Sequence, residues 1–432
     1  MKLETRPAAA PLKGSLQPPG DKSVSHRAAL LGAVAEGTTL VHGYLPGADT
    51  LATLSAVEHL GASIRRQGTR VEIDGGRLEP VEDPLDLGNS GTGLRLLAGL
   101  LAGQAHWGDR AVTLTGDASL CRRPMNRIVR PLQAMGGHVD STEGRAPLTV
   151  HGRRLRGIDH RLEVASAQVK SAILLAGLGA DGMTRVREPA PGRDHTERML
   201  PAFGVGLETG PGGIGLTGGQ SLRAAEIQVP GDLSAAAFAL VAACLVADSE
   251  VVMEEVGLNP TRDGVLRILR AMGARLEIET LDRPGPEPVG RIRVRASELR
   301  GIEIPPDWVP LAIDEFPVIM AAAAAAEGET VIRGAGELRV KESDRIAAMC
   351  TALRDLGVDL EEREDGAVIR GGPVDGGHVD SAGDHRIAMS LAVLGLVARG
   401  PVEVSGAEWI DTSYPGFCGD LQALGAGVDA LE

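Results

Sequence analysis

Six stretches of the chain are apolar at nearly every position: residues 28–35, 94–102, 172–180, 235–247, 318–326 and 387–398. A helix that is apolar all round has no face for water, so these stretches predict six buried helices. A second phrase alternates with them, also six times. It is a helix end, then Leu, Met or Phe followed by Gly, then a β-rich run. The copies start at Leu60, Met135, Phe203, Met272, Leu356 and Leu424, spaced by roughly 70–85 residues, a period of the kind that marks repeated structural units. The Gly suits a left-handed cap that closes a helix before a strand. The helices before each Gly alternate apolar and polar faces, as in residues 50–60, and so belong outside the core. Thr- and Val-rich runs at 38–42, 71–74, 330–333 and 402–404 predict strands of hairpins. The pattern therefore predicts six units, each with a central helix, an outer helix and several strands, grouped into two pseudo-symmetric lobes of three.

A local duplication marks where the chain changes lobe. Residues 19–27 read Pro-Gly-Asp-Lys-Ser-Val-Ser-His-Arg, and residues 230–234 read Pro-Gly-Asp-Leu-Ser. Crossovers near 20 and 230 divide the chain into 1–20 with 230–432, and 21–229. The shared Pro, Gly, Asp and Ser are a turn and a helix cap, with Asp21 or Ser23 accepting a backbone N–H. The differences are chemical: Lys22, Ser25, His26 and Arg27 become Leu233, Ala236, Ala237 and Phe238. Lys22 and Arg27 are thus additions to a structural turn, placed at a helix start that favours anions.

The bulk properties narrow the function. A 432-residue chain with formal net charge −14 is not built as a general nucleic-acid or anionic-membrane binder. Its apolar runs are shorter than a membrane span. Aromatic residues are only 2% of the chain while Gly numbers 58, a composition for close helix packing. Cys121, Cys244, Cys350 and Cys418 are scattered without zinc or CxxC spacing, and residues 1–14 lack the apolar core of a signal peptide. These features predict a reduced, cytoplasmic protein.

Against this acidic background, cations collect at the predicted helix starts. If the six central helices run parallel, the polar turns that open them converge between the lobes. Residues 87–95 (Leu-Gly-Asn-Ser-Gly-Thr-Gly-Leu-Arg) form a Gly-rich turn whose N–H groups can approach an anion, without the Gly-Lys-Thr ending of a nucleotide loop. Residues 164–170 are small or hydrogen-bonding. Asp314 stands at a helix start, where a plain cap is the competing reading. Arg386 follows Asp384-His385 at another start, where the competing reading is a capped helix with an exposed Arg. Arg123 sits in Arg122-Arg123-Pro124. Lys341, Glu342 and Arg345 lie in Arg339-Val-Lys-Glu-Ser-Asp-Arg345, which also reads as a solvated helical ion-pair stretch. As a set, Lys22, Arg27, Arg123, Lys341, Arg345 and Arg386 predict a site for a small polyanion carrying phosphate and carboxylate groups. Asp314 and Glu342 among them are candidates for acid/base work. No nucleophile elbow, metal cluster or dinucleotide fingerprint is present, so neither cofactor nor metal is expected.

These segments resemble the enolpyruvyl transferase family, most closely its branch acting on shikimate 3-phosphate. The matching residues are Gly20-Asp-Lys-Ser-Val-Ser-His-Arg27, Gly88-Asn-Ser-Gly-Thr92, Arg123-Pro124, Ser166-Ala-Gln168, Ile313-Asp314, Arg339 to Arg345, Asp384-His-Arg386 and Ser413-Tyr-Pro-Gly-Phe417. The resemblance implies an α/β (α+β) fold: a two-lobed inside-out α/β barrel of six βαβαββ units with buried parallel helices. It implies a monomeric cytoplasmic enzyme with two small substrates, shikimate 3-phosphate and phosphoenolpyruvate. Carried over position by position, Lys22, Ser23, Arg27, Ser166, Ala167, Gln168, Arg193, Asp314 and Lys341 hold shikimate 3-phosphate. Lys22, Gly91, Arg123, Gln168, Arg345 and Arg386 hold phosphoenolpyruvate. Asp314 is the base, and Glu342 or Lys22 the proton donor to the methylene carbon.

Gly20-Asp-Lys-Ser23, Ser166-Ala-Gln-Val-Lys170, Arg193-Asp-His-Thr-Glu197 and Asn259-Pro-Thr-Arg262 resemble the family's glyphosate-tolerant class II, whereas Gly91 lacks the methyl that obstructs glyphosate in some tolerant members. Asn259 to Arg262 also reads as a turn with a helix cap, the reading preferred over ligand contact. Thr412, Glu337 and Ala167 stand where many or some relatives carry Lys, Asn and Ser; all three occur in class II. Two rivals share the fold. One is a UDP-N-acetylglucosamine enolpyruvyl transferase, whose loop Cys would have to be Cys121 despite its spacing from Arg123. The other is a silent anion-binding protein, against which the intact Asp314, Glu342 and Lys341 argue.

Overall fold

The computed structural model describes residues 1–108 and 110–431. The chain forms two compact units. The first is Met1–Pro19, Pro230–Arg283 and Pro288–Glu432; the second is Gly20–Val229 with Pro284–Glu287. The short excursion 284–287 carries no pattern in the sequence. It joins the second unit through Glu287, which is buried and accepts a hydrogen bond from His195 Nδ1 at 2.7 Å.

The six apolar stretches are six helices, and nearly every residue in them is buried. The second unit holds Lys22–Val34, Gly91–Ala102 and Ala167–Leu178. The first unit holds Leu233–Leu245, Phe316–Ala325 and His385–Gly395. In chain order these are the first to sixth central helices. Their bounds differ from the apolar runs for local reasons. The first begins at Lys22 rather than 28, because Asp21 Oδ1 accepts from Val24 N at 2.9 Å and caps it there. Ser23 is therefore not the cap. The third ends at Leu178, and Ala180 already belongs to a strand. The sixth stops at Gly395 and leaves 396–398 in a turn.

The six glycines that follow the outer helices all adopt the left-handed region: Gly61, Gly136, Gly204, Gly273, Gly357 and Gly425 have φ of 109°, 88°, 83°, 99°, 78° and 101°. Each is followed within a few residues by a strand. Among the described residues six of the seven sheets share one plan, the exception being the short parallel pair Leu155–Arg156 and Ala180–Asp181. In the second unit, Glu226–Gln228 pairs parallel with Gly37–His42, which pairs antiparallel with Arg70–Gly75, which pairs antiparallel with Ser63–Gln67. The same parallel, antiparallel, antiparallel order recurs through Leu85–Asp86, Ala111–Thr115, Arg145–His151 and His138–Thr142. It recurs again through Asp159–Arg161, Met183–Arg187, Gly213–Thr217 and Glu208–Gly210.

The first unit repeats the plan with Lys13–Leu16, Glu250–Gly257, Val289–Arg295 and Arg275–Leu281. It does so again with Gly377–Asp380, Val402–Ser405, Lys2–Thr5 and Val428–Leu431. In its remaining sheet the parallel member shrinks to a bridge, Glu303 to Val331.

Small residues let the central helices approach backbone to backbone. A Cβ added at Gly99 of the second helix would lie 2.2 Å from the carbonyl oxygen of Ala172 in the third. The same close contact explains how cores so poor in aromatic residues fill their volume.

Candidate functional site

Within the second unit the starts of the three central helices are tied together by side chains. Arg27, in the second turn of the first helix, is buried. It donates from Nε to Thr196 Oγ1 at 2.7 Å, from Nη2 to Ser171 Oγ at 2.8 Å and from Nη1 to the Ser23 carbonyl at 2.9 Å. Burial pushes its guanidinium down to about 10, with Arg193 adding to the effect and Glu197, Asp21 and Glu287 opposing it. Arg27 therefore stays a cation at neutral pH, with Arg193 close enough to share its field. Lys22 pairs with Asp49 Oδ2 at 2.9 Å. His26, between them, is fully buried, with Nδ1 2.9 Å from Thr53 Oγ1 and Nε2 3.5 Å from Ser90 Oγ. Burial, with Lys22 and Arg27 adding, holds it well below the usual histidine range and therefore neutral.

The second and third helices open side by side. Ser90 and Ser166 cap them, accepting from Gly93 N and Val169 N. Gln168 bridges the two starts: its Nε2 donates to Thr92 Oγ1 at 2.8 Å and its Oε1 accepts from Arg95. Gly91 is the first residue of its helix. A Cβ there would stand 3.0 Å from Arg123 Nη1 and 3.4 Å from Arg95 Nη1. A methyl there would press on both guanidiniums, which would have to give by a few tenths of an ångström. Arg123 closes the short helix Ala118–Arg122 and donates to Asn89 Oδ1 at 2.5 Å. Cys121 sits in that short helix with Sγ against the Gly116 carbonyl, not on a loop.

The first unit gathers the carboxylates. Arg345 is only 1% exposed and opens the helix Arg345–Asp355. It meets Asp384 Oδ2 at 2.8 Å, Glu342 Oε2 at 2.5 Å and Asp314 Oδ1 at 3.3 Å. Burial opposes its charge, but the three carboxylates outweigh burial and raise its affinity for the proton. Lys341 Nζ also reaches Asp314 Oδ1, at 3.3 Å. Arg386 Nη1 donates to the Asp314 carbonyl at 3.1 Å. Asp314, Lys341, Glu342, Arg345 and Arg386 thus form one cluster at the starts of the fifth and sixth central helices.

Several bland readings fail here. Asp314 is not a helix cap, since Glu315 holds that position and the Asp314 carboxylate faces the two cations. Residues 341–345 are not a solvated helical ion-pair stretch: 341–343 are bends, and Arg345 is in the core. Arg386 is buried rather than exposed. Asn259 does form the expected turn, its Oδ1 accepting from Thr261 N at 2.8 Å, but it caps no helix. Arg262 is buried against Asp232 at 3.0 Å and Glu315 at 3.7 Å. Thr412 turns back to the Trp409 carbonyl at 2.6 Å. The duplicated segment 230–234 lacks the charge in structure too, with Leu233 buried in the core at the position that matches Lys22.

Four positions escaped the sequence reading. Arg95 lies one turn beyond Gly91, and that i,i+4 spacing could have found it. Asp49 and Ser171 lie on other elements and carried no local signal, and Thr196 was quoted only within Arg193-Asp-His-Thr-Glu197 with no role given to it. Lys170 and Glu197, quoted only as part of a motif, form a buried pair at 2.6 Å, with Glu188 also at 2.6 Å from Lys170.

Comparison with known proteins gives the family. A family model described as EPSP synthase (3-phosphoshikimate 1-carboxyvinyltransferase) matches residues 7–421. The 3-phosphoshikimate 1-carboxyvinyltransferase of Acidithiobacillus ferrooxidans is 54% identical over 418 residues, covering 96% of each chain. That of Nitrosococcus oceani is 52% identical over 423 residues, 96% of this chain and 94% of the relative. The structure of EPSP synthase from Acinetobacter baumannii superposes with a TM-score of 0.88 at 47% identity, covering 99% of both chains. These proteins are transferases of mixed α/β fold, and so is this one. The chain belongs to the EPSP synthase (3-phosphoshikimate 1-carboxyvinyltransferase) family.

Proposed function

We propose that this chain transfers the enolpyruvyl group of phosphoenolpyruvate to the 5-hydroxyl of shikimate 3-phosphate and releases phosphate, a step of aromatic amino-acid biosynthesis in the cytoplasm. The observation that carries the reading is the cluster of Asp314 and Glu342 against Lys341, Arg345 and Arg386, in a chain of this family. Phosphates and carboxylates need fixed cations, and the addition step needs a base beside a proton donor.

The resemblance to the family implies the roles, and the chemistry of the residues suits them. Lys22, Ser23, Arg27 and Arg193, with Ser166, Ala167 and Gln168 at a helix start, bind shikimate 3-phosphate. Gly91, Arg123, Gln168, Arg345 and Arg386, with Lys22, bind phosphoenolpyruvate. Lys341 contacts the shikimate. Asp314 takes the proton of the 5-hydroxyl as its oxygen bonds to C2 of phosphoenolpyruvate. Glu342, with Lys22, gives a proton to C3, leaving a tetrahedral adduct. Loss of a C3 proton then expels phosphate and restores the double bond. Cations already held in place stabilise the charge that develops, with no covalent nucleophile. Cys244 and Cys350, with thiols pushed up by burial to about 12 and about 11, offer none.

The test is Asp314→Asn, which keeps the side chain's shape. Turnover should fall by about 10²–10⁴, the range for a lost general base, while shikimate 3-phosphate affinity measured by calorimetry stays within a few-fold. Comparable losses in both would reduce Asp314 to a binding residue.

A further inference from the structure

The hairpin His138–Thr142 and Arg145–His151 carries a cluster that the enolpyruvyl transfer does not use. His138 pairs directly across the ladder with His151, and Asp140 pairs with Thr149. Alternation along a strand sends Val139 and Val150 into the core, where both are buried, and sends His138, Asp140 and His151 to the opposite face. The two imidazole rings stack at 4.0 Å between centroids, 8° from parallel. His138 Nε2 lies 3.1 Å from Asp140 Oδ1, and His151 Nε2 lies 3.1 Å from Asp140 Oδ2. Side-chain exposures of 43%, 60% and 20% for His138, Asp140 and His151 leave solvent access on one side.

We propose that His138, Asp140 and His151 bind a divalent cation of the zinc class. Two donors at i and i+2 on one strand and a third across the ladder give three side chains converging from one rigid face. Their ligand atoms already lie within 4.8 Å of one another, against roughly 3.3 Å between donors on a tetrahedral zinc with bonds near 2.0–2.1 Å. The rings now stack with their lone pairs side by side, so binding requires the more exposed His138 ring to swing out of the stack until both Nε2 atoms face the cation. Two imidazoles and a carboxylate suit Zn²⁺, Co²⁺ or Ni²⁺ rather than Mg²⁺ or Ca²⁺, which take oxygen donors. On binding, each neutral imidazole carries its proton on Nδ1 and offers the Nε2 lone pair, and water completes the coordination. The cation ties the two strands of the hairpin together. A His-x-Asp followed eleven residues later by His matches no familiar ligand spacing; only the strand pairing assembles it.

Untagged protein, stripped with a chelator and dialysed, is titrated with Co²⁺ and followed by visible ligand-field absorption, then with Zn²⁺ by calorimetry. One equivalent should bind and raise the thermal unfolding midpoint. His138→Gln and His151→Gln should each abolish the Co²⁺ bands, and Asp140→Asn should weaken binding by about tenfold or more. His378→Gln, at an exposed histidine paired with a single carboxylate, should change nothing, and enolpyruvyl transfer should be unaffected in all four. In the unmutated chain, ¹⁵N spectra should show two histidine Nε2 resonances moving on Zn²⁺ addition. Absence of saturable binding, or one-equivalent binding that survives in the His138→Gln/His151→Gln double variant, would overturn the assignment.

Discussion

Asp384→Asn isolates the buried charge on which the carboxylate cluster rests. Asp384 is fully buried, with Oδ2 2.8 Å from Arg345 Nε and 3.2 Å from Ser343 Oγ. Its Oδ1 accepts from Arg386 N at 2.9 Å and caps the sixth central helix. Burial alone would raise this carboxyl, but Arg345 outweighs it and holds it below the ordinary value of 3.8. Asn keeps the shape and caps well, so the substitution removes little but one charge. Breaking a buried ion pair costs about 3–5 kcal/mol. Arg345 retains Glu342 and Asp314, so we expect a loss of about 2–3 kcal/mol at neutral pH. Asp384→Ala should cost about 1 kcal/mol more, the value of the cap. The sign with pH follows: a carboxyl held low in the fold stabilises above its ordinary value, and that stability fades as pH falls below 3.8 and through its folded value. The gap between wild type and Asp384→Asn should therefore narrow in acid. Guanidinium unfolding of the substrate-free enzyme measures it, with the KM for phosphoenolpyruvate rising alongside as Arg345 loses its anchor. A loss under about 0.5 kcal/mol, within the scatter of surface substitutions, would show that Glu342 and Asp314 already satisfy Arg345 and would refute the reasoning.

Other outcomes follow from single contacts. Gly91→Ala presses a methyl against Arg123 and Arg95; the KM for phosphoenolpyruvate should rise about fivefold, equivalent to 1 kcal/mol, and the glyphosate inhibition constant should rise more, whereas equal rises would mean the methyl acts only through the arginines. Gly99→Ala drives a Cβ to 2.2 Å from the Ala172 carbonyl and should cost about 1–3 kcal/mol by overpacking, read as a lowered urea midpoint. His26, buried and neutral, should make stability fall as pH drops below its ordinary value of 6.5, by at most about 1.4 kcal/mol per pH unit; His26→Gln should flatten that slope in urea melts across pH 5–7. Asp49→Asn removes the carboxylate charge paired with Lys22 and should raise the KM for both substrates with little change in stability, whereas unmoved KM values would leave Asp49 a structural role only.

The fold was legible because its repeat is written in residues with few alternatives. A helix without a polar face must be buried, and a Gly closing a helix at positive φ has few substitutes, as the six φ values show. Lys22, Asp314 and Arg386 were legible because they sit at or beside helix starts, and at the first of these the duplication at 19–27 and 230–234 separated scaffold from chemistry; Arg123, Lys341 and Glu342 lie outside such starts and were legible through their motifs. What the sequence hid is the partners. Asp49 beside Lys22, Ser171 and Thr196 on Arg27, and Asp384 under Arg345 are pairings between elements far apart in the chain. Local periodicity carries no trace of them. Residues 341–345 misled for the same reason: an i,i+4 spacing resembles a surface helix until the fold buries Arg345. The His138–Asp140–His151 cluster depends on strand register, which only the sheet supplies.

The most direct test of the proposed activity is phosphate release from phosphoenolpyruvate by the purified chain, with shikimate 3-phosphate or UDP-N-acetylglucosamine as acceptor. Saturable release with shikimate 3-phosphate and none with UDP-N-acetylglucosamine is the expected result. Release that depends on UDP-N-acetylglucosamine, or none with shikimate 3-phosphate, would contradict it.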